Sequence, residues 1–273
     1  MSKQKTKNRN RFVLLSGANG GIGSKILSSL INANYKVIAL DLSNDNIRDI
    51  ECEFIKCDVT NKNDLKNAFE KVSKLTNNLY AIVNTIGIFM MQSLIEGSEE
   101  DFRKIMEVNF FGIYSLNKIM LPLVETNGKI INLTSEVARY SPQPFQGYYN
   151  ISKIALDAYN DALRREANYI GIKVIKIQSG SMKTNMLNSA NKEYDQMVEK
   201  SVHFKQPLTK FKYMMDRELT KQNNPNIIGK IVIKILNKKK PRLCYKVKNS
   251  KSLKFIGLLP EKTQDSIYKT VIK

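Results

Sequence analysis

The chain has 273 residues, of which 42% are hydrophobic and 8% aromatic, the composition of a folded protein able to bury one large core. With three cysteines (Cys52, Cys57, Cys244) and one histidine (His203), it has no zinc spacing and no Ser-His-Asp or Cys-His set, so no metal site is expected. No apolar run approaches the roughly 18 residues that span a bilayer. Phe12–Leu15 is too short for a signal-peptide core, so the chain reads as cytoplasmic.

The formal charge of +19 sits mostly at the ends. Residues 1–11 hold five Lys/Arg and no acid, and residues 234–273 hold twelve against Glu261 and Asp265. Basic ends attract anionic surfaces. Solvated tails in a lysine-rich chain are the plainer reading, and no specific nucleic-acid partner is expected.

Phe12-Val13-Leu14-Leu15 reads as a buried strand. It runs into Ser16-Gly17-Ala18-Asn19-Gly20-Gly21-Ile22-Gly23 and then a helix, Ser24 to Ala33. Strand, glycine turn and helix in that order form a phosphate-binding turn, with Asn19 and Ile22 inside it. Gly17 permits the tight turn, Gly21 lets a pyrophosphate approach, and Gly23 lets the helix pack on the strand. The free amides and positive end of the helix then face the phosphates.

Tyr35 to Leu40 is the second strand and ends at Asp41. A carboxylate here accepts from both ribose hydroxyls of an adenosine and repels a 2′-phosphate. NAD is therefore favoured, with NADP the second choice through a cation such as Lys25. Capping of a helix over Asn44–Ile50 is the other reading of Asp41. Glu53 to Lys56 is the third strand. Asp58 then suits an adenine amino group with Val59 over the ring, and Thr60 or Asn61 caps a helix over Lys62–Leu75.

Leu79 to Val83 is the fourth strand, leaving Asn84-Thr85-Ile86-Gly87 at a carboxyl end, where ligands bind in such sheets. Ser98 to Glu125 predicts one helix, with Phe102, Ile105, Met106, Phe110 and Ile113 at helical spacing. Asn109 among them is a structural bridge or part of a proton relay. Lys129 to Leu133 is the fifth strand and delivers Thr134-Ser135. A loop with Pro142, Pro144 and Gly147 leads to a helix from Tyr149 to about Tyr169.

On that helix Tyr149 and Lys153 are four apart and share a face. A free phenol titrates near pH 10, too high for neutral proton transfer. An ammonium beside it favours the phenolate and makes a usable shuttle. Tyr148 has Ser152 at the matching position and so lacks the cation. Ile172 to Ile177 is the sixth strand, followed by Gly180, Met182 and Thr184. Residues 185–222, with Met186, Met197, Met214 and Met215, read as a lid over a substrate. Ile227 to Leu236 is a helix and Pro241 to Val247 an edge strand. The extension over 248–273, with Leu253, Phe255, Ile256 and Leu258 among lysines, is expected to close a substrate pocket or lie on a membrane surface.

These motifs resemble the short-chain dehydrogenase/reductase family. Gly17, Gly21 and Gly23 match its Thr-Gly-x-x-x-Gly-x-Gly motif, with Ser16 for threonine. Asn84 to Gly87 is similar to its Asn-Asn-Ala-Gly turn, and Asp58-Val59 to its adenine contact. Asn109, Ser135, Tyr149 and Lys153 match its catalytic four in order. Gly180 and Thr184 resemble its Pro-Gly-x-x-x-Thr turn, with Ser179 for proline. Ser135 and Tyr149 are fourteen positions apart, one more than in many relatives, so that loop is expected to bulge.

The resemblance implies an α/β fold: a Rossmann-type doubly wound parallel β-sheet of about seven strands with helices on both faces. A single domain would cover 11–273 after a basic tail, 1–10. It implies an NAD(P)-dependent oxidoreductase interconverting a secondary alcohol and a ketone. Tyr149 would move the proton and Ser135 hold the substrate oxygen. Lys153 would bind the nicotinamide ribose and lower the Tyr149 pKa, and Asn109 would link Lys153 to solvent. Asn84, Gly87, Met182 and Thr184 join the cofactor contacts. From Leu258 onward the chain is more faintly similar to members acting on retinol- or steroid-like alcohols, which implies a hydrophobic substrate. A homodimer or homotetramer is also implied. The alternatives are an NADP-dependent ketoacyl-type reductase and a non-catalytic dinucleotide sensor.

Overall fold

The computed structural model describes residues 8–140, 142–184, 194–219 and 222–272, with the backbone alone at 214–219. Seven strands form one sheet: β1 (Phe12–Ser16), β2 (Lys36–Asp41), β3 (Glu53–Lys56), β4 (Leu79–Asn84), β5 (Val124–Ser135), β6 (Lys173–Ser179) and β7 (Cys244–Val247). Their order is β3-β2-β1-β4-β5-β6-β7, and every neighbouring pair is parallel. The helices are α1 (Gly23–Asn32), α2 (Lys62–Leu75), α3 (Glu99–Met106), α4 (Gly112–Met120), α5 (Gly147–Ala167), α6 (Lys205–Leu219), α7 (Asn226–Asn237), α8 (Lys251–Ile256) and α9 (Glu261–Ile272).

Parallel strands are covered on both faces, so they read as unbroken apolar runs. Val13 and Leu15 of β1 pack under Ile26, Leu27 and Leu30 of α1 and Ile228 and Val232 of α7. Leu14, between them, faces Leu65, Ala68 and Val72 of α2 and Leu116 and Met120 of α4. The alternation of side chains along each strand thus builds two cores. The strand order reverses between β1 and β4, and a crevice opens at their carboxyl ends. The turns after Ser16 and Asn84 meet there.

Several expected boundaries move. The single helix foreseen over Ser98–Glu125 is α3, a π-helical turn (Glu107–Phe111), α4 and a short 3-10 turn at Leu121–Leu123. Pro122 ends it because it carries no amide to continue the ladder. Val124 then pairs with Leu79, so β5 starts earlier than expected. Asn61 caps α2, accepting from the amides of Asn63 and Asp64. Residues 45–49 form turns, so there is no helix there for Asp41 to cap.

Of the basic tail, residues 1–7 lie outside the described residues, while Asn8 is buried and donates to the Ala33 carbonyl at 3.0 Å. The expected lid is described only in part. Residues 185–193, with Met186, and the side chains of Met214 and Met215 lie outside. A helical segment over 194–200 and α6 pack Tyr194, Met197, Leu208 and Phe211 against Ile272 and Tyr268 of α9. Among the described residues no helix is long and apolar enough to cross a membrane.

Candidate active site

A cleft of about 1800 Å³ runs along the carboxyl ends of the strands. One end is the glycine turn. Gly17 has φ +75°, and a Cβ there would come within 2.7 Å of the Thr85 hydroxyl. That hydroxyl donates to the carbonyls of Ser16 (2.8 Å) and Gly17 (3.1 Å) and pins the two crevice turns together. In the sequence Thr85 stands only as a member of the turn after the fourth strand. A Cβ on Gly23 would sit 1.9 Å from the Gly17 carbonyl oxygen, so only glycine lets α1 start this close to β1.

Helix α1 has no capping side chain and no acid in its first turn. Its amino end therefore suits an anion, and Gly17, Asn19, Gly21, Ile22 and Gly23 all line the cleft around it. Asp41 follows along the wall. Its carboxylate accepts from the amides of Asn19 (2.8 Å) and Leu42 (2.7 Å), which fixes its orientation. Asp58 and Val59 line the same end, although one Asp58 oxygen already holds the Thr60 amide and hydroxyl. Gly87, Met182 and Thr184 line the cleft towards its centre. These residues fit a dinucleotide, its phosphates on α1 and its adenosine beside Asp41.

Asn84 is placed differently. It is fully buried, accepts from Ser16 Oγ (2.8 Å) and donates to Asn117 and Asn132, each at 2.8 Å. Asn132 in turn donates to Asn160 at 3.0 Å. This ladder of amides ties β1, β4 and β5 to α4 and α5 beneath the cleft, so the Asn84 side chain does not line the cleft. Buried amides are stable only when paired in this way.

At the cleft floor Ser135, Tyr149 and Lys153 converge from the end of β5 and the first turns of α5. The Tyr149 hydroxyl shares a hydrogen bond with Ser135. Its ring lies edge-on to Phe89, with centroids 4.8 Å apart. Lys153 Nζ is 5.8 Å from the Tyr149 ring centroid and lies against Gly87, where a Cβ would come within 3.0 Å of it. Asn109 lies in the π-helical turn. It accepts from the Ile88 amide (2.7 Å) and donates to the Ile88 carbonyl (2.9 Å) and Ser152 Oγ (3.0 Å). Ser152, which carried no signal in the sequence, thus bridges Asn109 to the Tyr149 carbonyl at 2.7 Å. Tyr148 points away, donating to the Ser98 carbonyl at 2.9 Å.

The electrostatics differ from expectation. Burial pushes the Tyr149 phenol up to about 12, eased by the bond from Ser135 and reinforced by the negative charge of Glu136. Burial alone pulls Lys153 down to about 8. The expected lowering of Tyr149 by Lys153 is overridden because both groups leave water together.

A profile of the short chain dehydrogenase family matches residues 11–195. The chain belongs to the short-chain dehydrogenase family. A probable short-chain type dehydrogenase/reductase, VdlC, of Helicobacter pylori is 29% identical over 96% of this chain and 97% of its own. An NADPH-dependent 1-acyldihydroxyacetone phosphate reductase of Schizosaccharomyces pombe is 32% identical over 64% of this chain and 61% of its own. The solved structure of a Thermoplasma acidophilum aldohexose dehydrogenase superposes with TM-score 0.72 at 19% identity, over 88% of this chain and 93% of that one. This dehydrogenase is an oxidoreductase of CH–OH groups that uses NAD or NADP.

Between Ser135 and Tyr149, Glu136–Arg139 form a short helical turn and Phe145 adopts φ +60°. Glu136, buried and lining the cleft, was missed in the sequence. Its carboxylate accepts from the amide of Ser250, the residue that caps α8. Contacts spanning 114 positions leave no local pattern to read. In the dehydrogenase, Glu136→Gln keeps an acceptor for Ser250 and removes the charge facing Tyr149, whereas Ala removes both. Both variants should move the alkaline limb of kcat/KM towards lower pH, by up to about one pH unit. Only Ala should raise KM. Identical profiles for wild type and Gln would refute the electrostatic part.

Proposed function

We propose that the chain is a cytoplasmic, NAD-preferring dehydrogenase that interconverts an apolar secondary alcohol and its ketone. The observation carrying this reading is the cleft itself: an anion-binding turn at one end, Ser135, Tyr149 and Lys153 at the floor, and an apolar wall beyond them. That wall includes Phe89, Met90, Val137, Leu253, Ile256 and Tyr268. A bound nicotinamide supplies or removes a hydride there. Ser135 orients the substrate oxygen, and Tyr149 gives it or takes from it a proton. Lys153 stabilises charge as that proton moves, and Asn109 holds the Ile88 backbone and Ser152 beside them.

The apolar wall favours a retinol-, steroid- or lipid-like substrate, and the S. pombe relative's named substrate carries an acyl group. A panel of secondary alcohols and ketones, from small and polar to sterol-sized, tests this. Uniform preference for the small polar members would overturn it. A homodimer or homotetramer through the middle helices agrees with the exposed rings of Phe111 and Tyr114.

For the cofactor, Asp41 is fixed in the wall, and no cation occurs from Leu42 to Ile47. NADH should bind at least about tenfold more tightly than NADPH, because a carboxylate there repels a 2′-phosphate. Asp41→Asn should narrow that gap. Fluorescence titration measures both, and tighter NADPH binding by the wild type would overturn the NAD preference and favour the alternative, an NADP-dependent reductase of the ketoacyl type.

A further inference from the structure

Helix α8 presents two faces. Leu253 and Ile256, three apart, line the cleft, whereas Lys251, Lys254, Phe255 and Leu258 follow helical spacing on the outside and are exposed. Phe255 is 63% and Leu258 76% exposed. The helix is anchored at both ends, by the Ser250 amide on Glu136 and by Gly257 against the Tyr140 ring. Lys246 and Lys248, also exposed, extend the positive charge before it, whereas beyond it Glu261 offsets Lys262.

A second exposed apolar set provides the contrast. Leu94 and Ile95 precede Glu96, which holds the Ser201 hydroxyl at 2.6 Å and the His203 amide at 2.8 Å, and Val202 is exposed between these. Exposed Glu99 and Glu100 follow, with Arg103 paired to Glu99 and exposed Lys200 and Lys205 on either side of Val202, so this surface carries mixed charge. From Lys246 to Pro260 the chain sets the exposed apolar side chains of α8 among lysines with no acid between them.

We propose that the outer face of α8, through Leu258, docks the protein on an anionic lipid bilayer. Phe255 and Leu258 enter the acyl boundary, and Lys251 and Lys254 meet the headgroups. The inner face of the same helix walls the cleft, so docking sets the mouth of the site against the phase in which an apolar alcohol dissolves. This deepens the apolar-substrate reading and rests on it.

Flotation of the full chain with phosphatidylcholine vesicles, with and without about a third phosphatidylserine, tests the proposal. Wild type should float only with the anionic vesicles. Lys251→Gln with Lys254→Gln should weaken this by roughly thirtyfold. Phe255→Glu with Leu258→Glu should weaken it at least about tenfold while leaving turnover of a water-soluble alcohol unchanged. No flotation would overturn the proposal. So would flotation that both double variants retain, since the basic tails alone would then account for it, or stronger binding to RNA that ignores the Glu substitutions. Tyr149→Phe should still float, so failure of docking and failure of the catalytic reading give different results.

Discussion

Tyr149→Phe is expected to lower kcat by about three orders of magnitude, within the range for a lost general acid–base group, while NADH affinity changes by less than about threefold. The ring survives the change, and with it the edge-on contact to Phe89. Only the proton-bearing oxygen and its bond to Ser135 are lost. The pH dependence follows from the same residue. A phenol pushed up to about 12 by burial is protonated at neutral pH, so it is a ready donor and a reluctant acceptor. Ketone reduction should therefore be flat through the neutral range, and alcohol oxidation should rise with pH. The rise should slacken above about pH 8, where Lys153 loses its charge. Stopped-flow rates in both directions measure this. Substantial turnover by the Phe variant would remove Tyr149 from the chemistry.

The sequence made the proposed cleft residues legible because each follows a local signal. A strand feeding a glycine turn, a strand ending in Asp41 and a Tyr149–Lys153 pair at one helical step are all read within a dozen residues. The seven strands were equally visible, since burial on both faces leaves nearly uninterrupted apolar runs such as Val13-Leu14-Leu15. What escaped depends on distant partners. The Asn84 ladder joins positions 16, 84, 117, 132 and 160, and nothing near Asn84 shows that its side chain turns under the sheet. Glu136 and Ser250 meet only after β7 is laid beside β6. The pKa inversion escaped for another reason. Helical spacing reports that Tyr149 and Lys153 are neighbours but says nothing of how completely both leave water.

That burial makes Lys153→Met the second large effect, with opposite signs for catalysis and stability. The folded-state value of about 8 lies below the unfolded reference of 10.5. Below pH 8 both states hold the proton, and the fold bears the whole cost of a buried ammonium. Between 8 and 10.5 the unfolded chain binds more protons, so stability rises with pH across that window. Methionine has similar reach and no charge. It should stabilise the protein at pH 7 by an amount bounded at about 3 kcal/mol and remove the Lys153 share of the rise above pH 8, leaving that of Lys129, which burial also lowers to about 8. Tyr149 contributes the reverse slope: its folded value of about 12 exceeds the reference of 10.0, so stability falls from pH 10 to 12 in either protein. Turnover of the Met variant should fall by about 10²–10⁴-fold, because no cation then supports proton loss from Tyr149. A gain in stability with a loss of rate is the signature of a group retained for chemistry. Urea denaturation at pH 7 and pH 10, alongside steady-state kinetics, reads both. A Met variant less stable at pH 7 than wild type would show that the ammonium has partners that offset its burial.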